Sequence, residues 1–255
     1  MPYNKLLLCI NADDFGFSSN ISAGILLLMH QGIVTSTSVM PLHCTSNDFE
    51  KLANTKNISV GLHFSLTSGC NHFINDIQSP YTLAHKVLIK QLTKEAIYKE
   101  LLHQYLTLKK NFSGNISHID THQHIHILPI VKKIIQTFAR ENQIPFVRTT
   151  KEISPLMSLK KIIYNLSNTD KSIPVFGLNL MGKNFSKENI LKHLHYLRKK
   201  QIRKAIWIVH PGYVTNSKEF QDSYNTQREH ELKILMDIKN DILKYADIVP
   251  LTHLL

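Results

Sequence analysis

The sequence predicts an α/β protein built as a (β/α) barrel, TIM-barrel-like, with about seven or eight strands. Short apolar, β-branched runs alternate with amphipathic helical stretches along the chain, and no repeat, linker or low-complexity segment interrupts them. The apolar runs also end, again and again, in residues that bind metals or move protons. In parallel α/β folds that end of the strand is where the connecting loops converge on a cleft. A chain of 255 residues accommodates this as one domain over 1–255.

The first run, Leu6 to Ile10, is apolar on both faces, as expected of a strand covered by helices on either side. It leads through Asn11 and Ala12 into Asp13 and Asp14. Ser18, Ser19 and Asn20 offer caps for a helix from Ile21 to His30, stopped by Gly32. Ile33 to Met40 reads as a second strand, and Ser46 and Asn47 as the cap of a short helix reaching Ala53. Ile58 to Phe64 is the third strand, with His63 near its end. From Ser65 to about Gln91 the pattern turns polar and turn-rich, so residues 65–92 are expected to form a lid or substrate wall. Thr93 opens an amphipathic helix that ends near Gly114, and a strand from Asn115 should stop near Thr121. Pro129 suits the first turn of a helix reaching Glu141. Ile144 to Thr149 is strand-like and contains Arg148. Residues 150–185 are weakly patterned, with a helix near Leu159 to Leu166 and a strand at Ile173 to Leu178. A helix from Lys187 to Lys200, capped by Ser186, precedes a strand leading to His210, Pro211, Gly212 and Tyr213. A helix from Thr226 to Lys239 and a strand at Ile248 to Leu251 close the pattern.

With 43% apolar and 19% charged residues the composition is that of an ordinary globular protein. No apolar run has the length of a membrane span, and the N-terminus lacks a signal peptide's apolar region and cleavage site, so a cytoplasmic location is expected. Cys9, Cys44 and Cys70 lie far apart without CxxC spacing, against a disulfide framework or a zinc knuckle. The net charge of +11 invites a nucleic-acid reading, but the lysines are dispersed and no basic stripe interleaved with aromatics is present. No specific nucleic-acid partner is expected. An anionic substrate or membrane surface remains compatible with that charge. Oligomeric state has no motif of its own; a possible homodimer would pair exposed helical faces.

Four run ends carry the chemistry: Asp13 with Asp14, His63, the cluster His118 to His126, and His210. A fifth carries Arg148. Two adjacent carboxylates repel unless their roles are divided, one on a metal and the other free as a base. Within the cluster the even-numbered residues share one face of an extended chain. His122, just past the expected strand end, is best placed to reach a cleft. Asp120 can orient it or line the site. His118, His124 and His126 read as structural, supporting or substrate-facing. One carboxylate with two imidazoles leaves positions open for water and substrate, as in a catalytic metal site. Metal, base and an opposing histidine acid together suit hydrolysis of an amide.

These residues resemble the YdjC-like carbohydrate deacetylases, a family that includes chitooligosaccharide deacetylases and hopanoid-biosynthesis-associated relatives. The resemblance rests on Asn11 to Gly16, Gly32 to Ser38, Gly61 to Thr67, Asp120 to His126, His210 to Tyr213, and a late stretch of Asp222 to Tyr224 with Arg228 to Leu232. It implies a distorted barrel that removes acetyl from an N-acetylated sugar of the N-acetylglucosamine type, using one divalent metal. Position by position, Asp14, His63 and His122 match the metal ligands, Asp13 the base and His210 the acid. Arg148 would hold Asp13 or the substrate, and Asp120, His124 and Tyr213 fall on the substrate or supporting side. The family resemblance implies magnesium, whereas imidazole-rich ligation suits zinc or a similar ion. Two other readings are carried alongside: a different metal-assisted hydrolase such as a phosphoesterase, and a non-catalytic sugar- or polyanion-binding module.

Overall fold

A computed structural model describes residues 5–69, 71–74, 77, 79–148, 152–155, 173–215, 222 and 224–255. Eight strands form one sheet: β1 (Leu6–Phe15), β2 (Ser36–Val39), β3 (Ser59–Phe64), β4 (Ile116–Thr121), β5 (Phe146–Val147), β6 (Val175–Phe176), β7 (Lys204–Val209) and β8 (Ala246–Ile248). The order is β5-β4-β3-β2-β1-β7-β6, every pairing is parallel, and β8 adds to β1. β2 and β8 share one edge of β1, β8 beside Leu6 to Leu8 and β2 further along, from Asn11 to Phe15. At the ends of the sheet, β5 and β6 are joined by no ladder among the described residues; a lone parallel bridge of Glu152 with Val175 reaches across. The result is a barrel, as the alternation predicts, distorted as the family resemblance implies, and incompletely closed between β5 and β6.

The described helices are α1 (Ser19–His30), α2 (Ser46–Ala53), α3 (Pro80–Leu88), α4 (Lys94–Asn111), α5 (Pro129–Glu141), α6 (Lys187–Lys199) and α7 (Asn225–Ile242). Their starts follow cap chemistry: the side chains of Ser18, Ser79, Thr93 and Ser186 each accept a first-turn N–H, and Pro129 stands at the head of α5. Among the described residues no helix is long and apolar enough to cross a membrane.

Several boundaries differ from the sequence reading. α2 is capped by Thr45 rather than Ser46 or Asn47, because Thr45 and Asp48 form a reciprocal capping box. The stretch expected to be loop between Ser65 and Gln91 contains α3, whose short span and single buried residue, Leu83, leave little periodicity to read. β2 is confined to Ser36–Val39, and the last strand comes earlier, at Ala246–Ile248, with a 3-10 turn at Leu251–His253. The helix expected near Leu159 to Leu166 lies outside the described residues, as does Cys70.

Strand alternation sorts the side chains. Leu8, Ile10 and Ala12 of β1 and Trp207 and Val209 of β7 face the helices in the main core. Cys9, Phe146, Val175, Ile206 and Ile208 turn inward and meet Leu251 and Leu254 in a small inner core. Further along the strands the interior becomes polar, with Asn11, Asp13, Ser38, His63, His118 and Asp120 all buried. Gly61 makes this interior possible, since a Cβ there would lie 2.4 Å from the His118 ring. Gly61→Ala is expected to destabilise the chain by about 1–3 kcal/mol through overpacking, read as a lower urea midpoint with unchanged slope.

Candidate active site

β1 delivers two neighbouring acids to the same cleft by breaking its own alternation. Its register with β2 shifts between Ala12 and Phe15, and Asp14 has φ 68°. This is a bulge in which one residue adopts the left-handed conformation, tolerated by aspartate better than by most residues. Asp13 stays in the inward series while Asp14 is redirected.

The partners then divide. Asp13 is gripped by Arg148, Nη1 to Oδ1 and Nη2 to Oδ2 both at 2.6 Å, and Asn11 Nδ2 donates to Oδ1 at 2.8 Å. Asp14 Oδ1 lies 3.1 Å from His63 Nε2 and 2.9 Å from His122 Nδ1, while Arg228 Nη2 donates to Oδ2 at 2.7 Å. Burial opposes ionisation of Asp14, but Arg228, His122 and His63 outweigh it and hold the carboxyl well below the usual carboxylate range.

Behind this group stands Asp120. Its Oδ1 lies 2.5 Å from His63 Nδ1, and its Oδ2 takes Arg148 at 2.8 Å and the Ser38 hydroxyl at 2.5 Å. A carboxylate on Nδ1 fixes the ring and leaves Nε2 to face Asp14. Burial would lower the pKa of His63, yet Asp120 and Asp13, with hydrogen bonds to Asp120 and Asp14, raise it to about 10. β4 ends at Thr121, and His122 follows in a 3-10 turn, His122–Ile127, whose Gln123 and His124 have φ 51° and 54°. Such backbone strain is typical of functional sites.

His210 enters from the end of β7. Its Nε2 is 3.8 Å from Asp13 Oδ2, too long for a hydrogen bond, and its Nδ1 is buried without a hydrogen-bond partner. Burial lowers its pKa to about 4, so the ring is neutral at pH 7. Its backbone N–H donates to Glu231 Oε2 at 2.6 Å, and Glu231 Oε1 accepts the Tyr224 hydroxyl. The following turn packs glycine on glycine: a Cβ at Gly24 of α1 would sit 2.7 Å from Gly212. Tyr213, 41% exposed, remains at the rim with its N–H on the Asn20 carbonyl.

The structure thus brings together Asp13, Asp14, His63, His122, Asp120, Arg148 and His210. Tyr213 stays at the rim, and His124 is half-buried beside His126, with ring centroids 6.2 Å apart; burial and the charges of Arg148, His126, His210 and His63 hold its pKa well below the usual imidazole value. His118 lies within hydrogen-bond distance of Ser38 and Ser117, and His126 of Thr121. Arg228, Asp222, Glu231 and Ser38 were given no roles by sequence reasoning. Arg228 and Glu231 share a face of α7 at i, i+3, a spacing visible in the late motif, but nothing in the chain order says that this face meets β1.

Asp14, His63 and His122 can present one donor atom each within 4.8 Å of one another. Bonds of about 2.0–2.2 Å from a divalent ion to nitrogen and oxygen place neighbouring donors roughly 3 Å apart, which matches the 2.9 and 3.1 Å separations from Asp14 Oδ1. The donor set therefore fits a single divalent cation. A second grouping, Asp13, His63 and Asp120, also meets the distance criterion. It shares His63 with the first, and its two carboxylates already hold the Arg148 guanidinium, whose charge opposes a second ion.

The YdjC-like protein family model matches residues 7–241. The chain belongs to this family. A chitooligosaccharide deacetylase of Yersinia pestis (strain Pestoides F) is 28% identical over 240 residues, covering 90% of each chain. In three dimensions the chain resembles a crystal structure of a candidate cellobiose-phosphate cleavage protein from Enterococcus faecalis V583, with a TM-score of 0.75, 21% identity, and 98% and 99% of the two chains covered. A peptidoglycan N-acetylglucosamine deacetylase superposes with a TM-score of 0.52 at 11% identity, over 99% of this chain and 89% of that one. These two structural likenesses establish the fold.

His118, His126 and His210, all buried, have their pKa lowered by burial to about 4, 3 and 4. Between those values and the unfolded value near 6.5 the unfolded chain binds more protons, so the stability each contributes is lost as pH falls through this window, by up to about 1.4 kcal/mol per pH unit per histidine. The raised pKa of His63 acts in the opposite sense, its contribution being complete below about pH 6.5 and lost as pH rises toward 10. Urea unfolding free energies are therefore expected to be clearly lower at pH 5 than at pH 7.

Proposed function

We propose that this protein is a metal-dependent carbohydrate N-deacetylase that removes acetyl from an N-acetylglucosamine-type mono- or oligosaccharide, releasing acetate. The observation that carries the reading is the buried donor set of Asp14, His63 and His122, with Asp120 behind His63. Membership of the YdjC-like family and the printed name of the Yersinia relative support the sugar amide as substrate.

Asp14, His63 and His122 would hold the ion. When bound, it polarises the acetyl carbonyl and acidifies a water molecule. Two imidazoles and one carboxylate favour zinc or a similar transition ion, whereas magnesium prefers oxygen donors. Arg228, bonded to Asp14 Oδ2, leaves Oδ1 directed at the histidines.

Asp13 acts as the base, its carboxylate fixed by Arg148 and Asn11 so that the attacking water meets a set geometry. His210 delivers the proton to the departing nitrogen. Since burial keeps His210 neutral, it must first gain that proton, and Asp13 Oδ2, 3.8 Å from its Nε2, supplies it once the two close to hydrogen-bond distance. One proton thus passes from water to Asp13, through His210, to the amine, while the water oxygen joins the acetyl carbon and the carbon–nitrogen bond breaks. The described residues between 65 and 92 serve as a wall to the cleft. They leave β3 just after His63, and Ser68 lies 2.9 Å from His43, whose ring packs on Phe17 beside His122.

The deciding experiment measures acetate release from a panel of N-acetylated sugars by the purified chain, with chelator and with zinc, cobalt or magnesium restored. Activity should vanish with chelator and return best with a transition ion. Undiminished turnover after complete metal removal, or hydrolysis of phosphate esters with no acetate from any sugar, would reject the assignment.

A further inference from the structure

Among the described residues eight large apolar side chains are exposed, and five of them, Phe73, Tyr81, Leu88, Ile89 and Leu106, fall in the connection between β3 and β4. Scattered exposed apolar residues are ordinary; a concentration in one segment is not. Tyr81 and Leu88 stand seven residues apart on one face of α3, 87% and 80% exposed, with Ile89 beside them, while Leu83 anchors the opposite face in the core. Next to α3 an apolar groove of about 740 Å³ runs between the first turns of α4 and α5, lined by Tyr98, Pro129, Ile130 and Ile134, with Lys94 and Lys133 at its sides.

Charge on this face is one-sided. Lys90, Lys94, Lys99 and Lys133 are exposed, against Glu95 in the groove and Glu141, which accepts from the Tyr98 hydroxyl at 3.0 Å. Topology fixes where the face lies. α5 returns from the end of β4 to the start of its parallel neighbour β5, and the 18-residue α4 runs down to the start of β4, so the N-termini of both lie toward the edge of the sheet that carries His63 and His122. The chain leaving α3 folds back on its last turn, Gln91 and Leu92 both donating to the Lys86 carbonyl, which holds the end of α3 beside the start of α4.

We propose that the face formed by α3 and the first turns of α4 and α5 docks on an anionic lipid bilayer. Tyr81, Leu88 and Ile89 enter the headgroup layer, and Lys90, Lys94 and Lys133 meet its phosphates, the division of labour of an interfacial amphipathic segment. A second copy of the chain is the weaker occupant, because a two-fold contact would set these lysines against their own copies. Docking by this edge turns the cleft toward the bilayer.

The test is co-sedimentation of the full chain with vesicles of phosphatidylcholine alone or with added phosphatidylglycerol. Binding is expected to the anionic vesicles only, and to fall in high salt. Tyr81→Ser combined with Leu88→Ser should weaken it by at least about tenfold, Lys90→Glu with Lys94→Glu likewise, and Met236→Ser, at a 42% exposed apolar residue on α7, should leave it unchanged. Circular dichroism should match the parent in every variant, and sedimentation is read without any sugar present, so the result is independent of the proposed reaction. Equal binding to neutral vesicles, no binding, or full binding by the Tyr81/Leu88 variant would overturn the proposal. So would concentration-dependent dimers, or capture of an acidic protein, abolished by the same substitutions without any vesicle binding.

Discussion

Asp13→Asn is expected to keep its metal and lower kcat by about 10²–10⁴-fold, the range for removing a general base. An amide still accepts from Arg148 but cannot take a proton from water, so KM for the sugar should move far less than kcat. Metal content by elemental analysis separates this from loss of the site. Arg148 also reaches Asp120 at 2.8 Å, so its guanidinium is not stranded by the change. A thermal melt within a few degrees of the parent is expected on that account. A fully active Asp13→Asn enzyme would place the base elsewhere.

Replacing any of Asp14, His63 or His122 by alanine should instead remove the metal and the activity together. The three are not equivalent in stability. His122 is the most exposed, with 12% of its side chain accessible, and its loss should scarcely change folding. Removing Asp14 leaves Arg228 with Asp222 alone, and a buried charge deprived of a partner costs up to about 3–5 kcal/mol. Asp14→Ala should therefore lose metal and several kcal/mol of stability, and His122→Ala metal alone. Asp120→Asn, which weakens the support of His63 together with the contacts to Arg148 and Ser38, should weaken metal binding by about 10–100-fold. Isothermal titration with zinc, beside urea unfolding of the metal-free proteins, distinguishes these outcomes. Zinc affinity retained in all three alanine variants would dismiss the donor set.

What the sequence disclosed were the residues whose local chemistry is self-announcing. An apolar run ending in Asp13 and Asp14, a strand stopping at Thr121 before His122, and a Ser186 cap on α6 are each written within a few positions, and the structure repeats them. The pairing partners were not legible. That Arg148 closes on Asp13 while Arg228 closes on Asp14 depends on β1 having β7 on one edge and β2 on the other, with α7 packed against α1. No spacing in the chain encodes it. The same holds for Ser38, ordinary within a Thr- and Ser-rich strand until Asp120 and His118 are found against it. α3 stayed hidden because a nine-residue helix with one fully buried position carries almost no periodic signal.

The central place of β1 has a bearing on how the molecule comes into being. Its acids are synthesised before the partners they need: one flank of the strand waits for β7 and the cation for Asp14 waits for Arg228, some two hundred residues later by the numbering. Until that late segment arrives, the growing chain carries two adjacent negative charges in a nascent interior with at most half of their counterions. Ion capture should accordingly be among the final events of maturation, after the C-terminal third has closed over the strand it was made to complete.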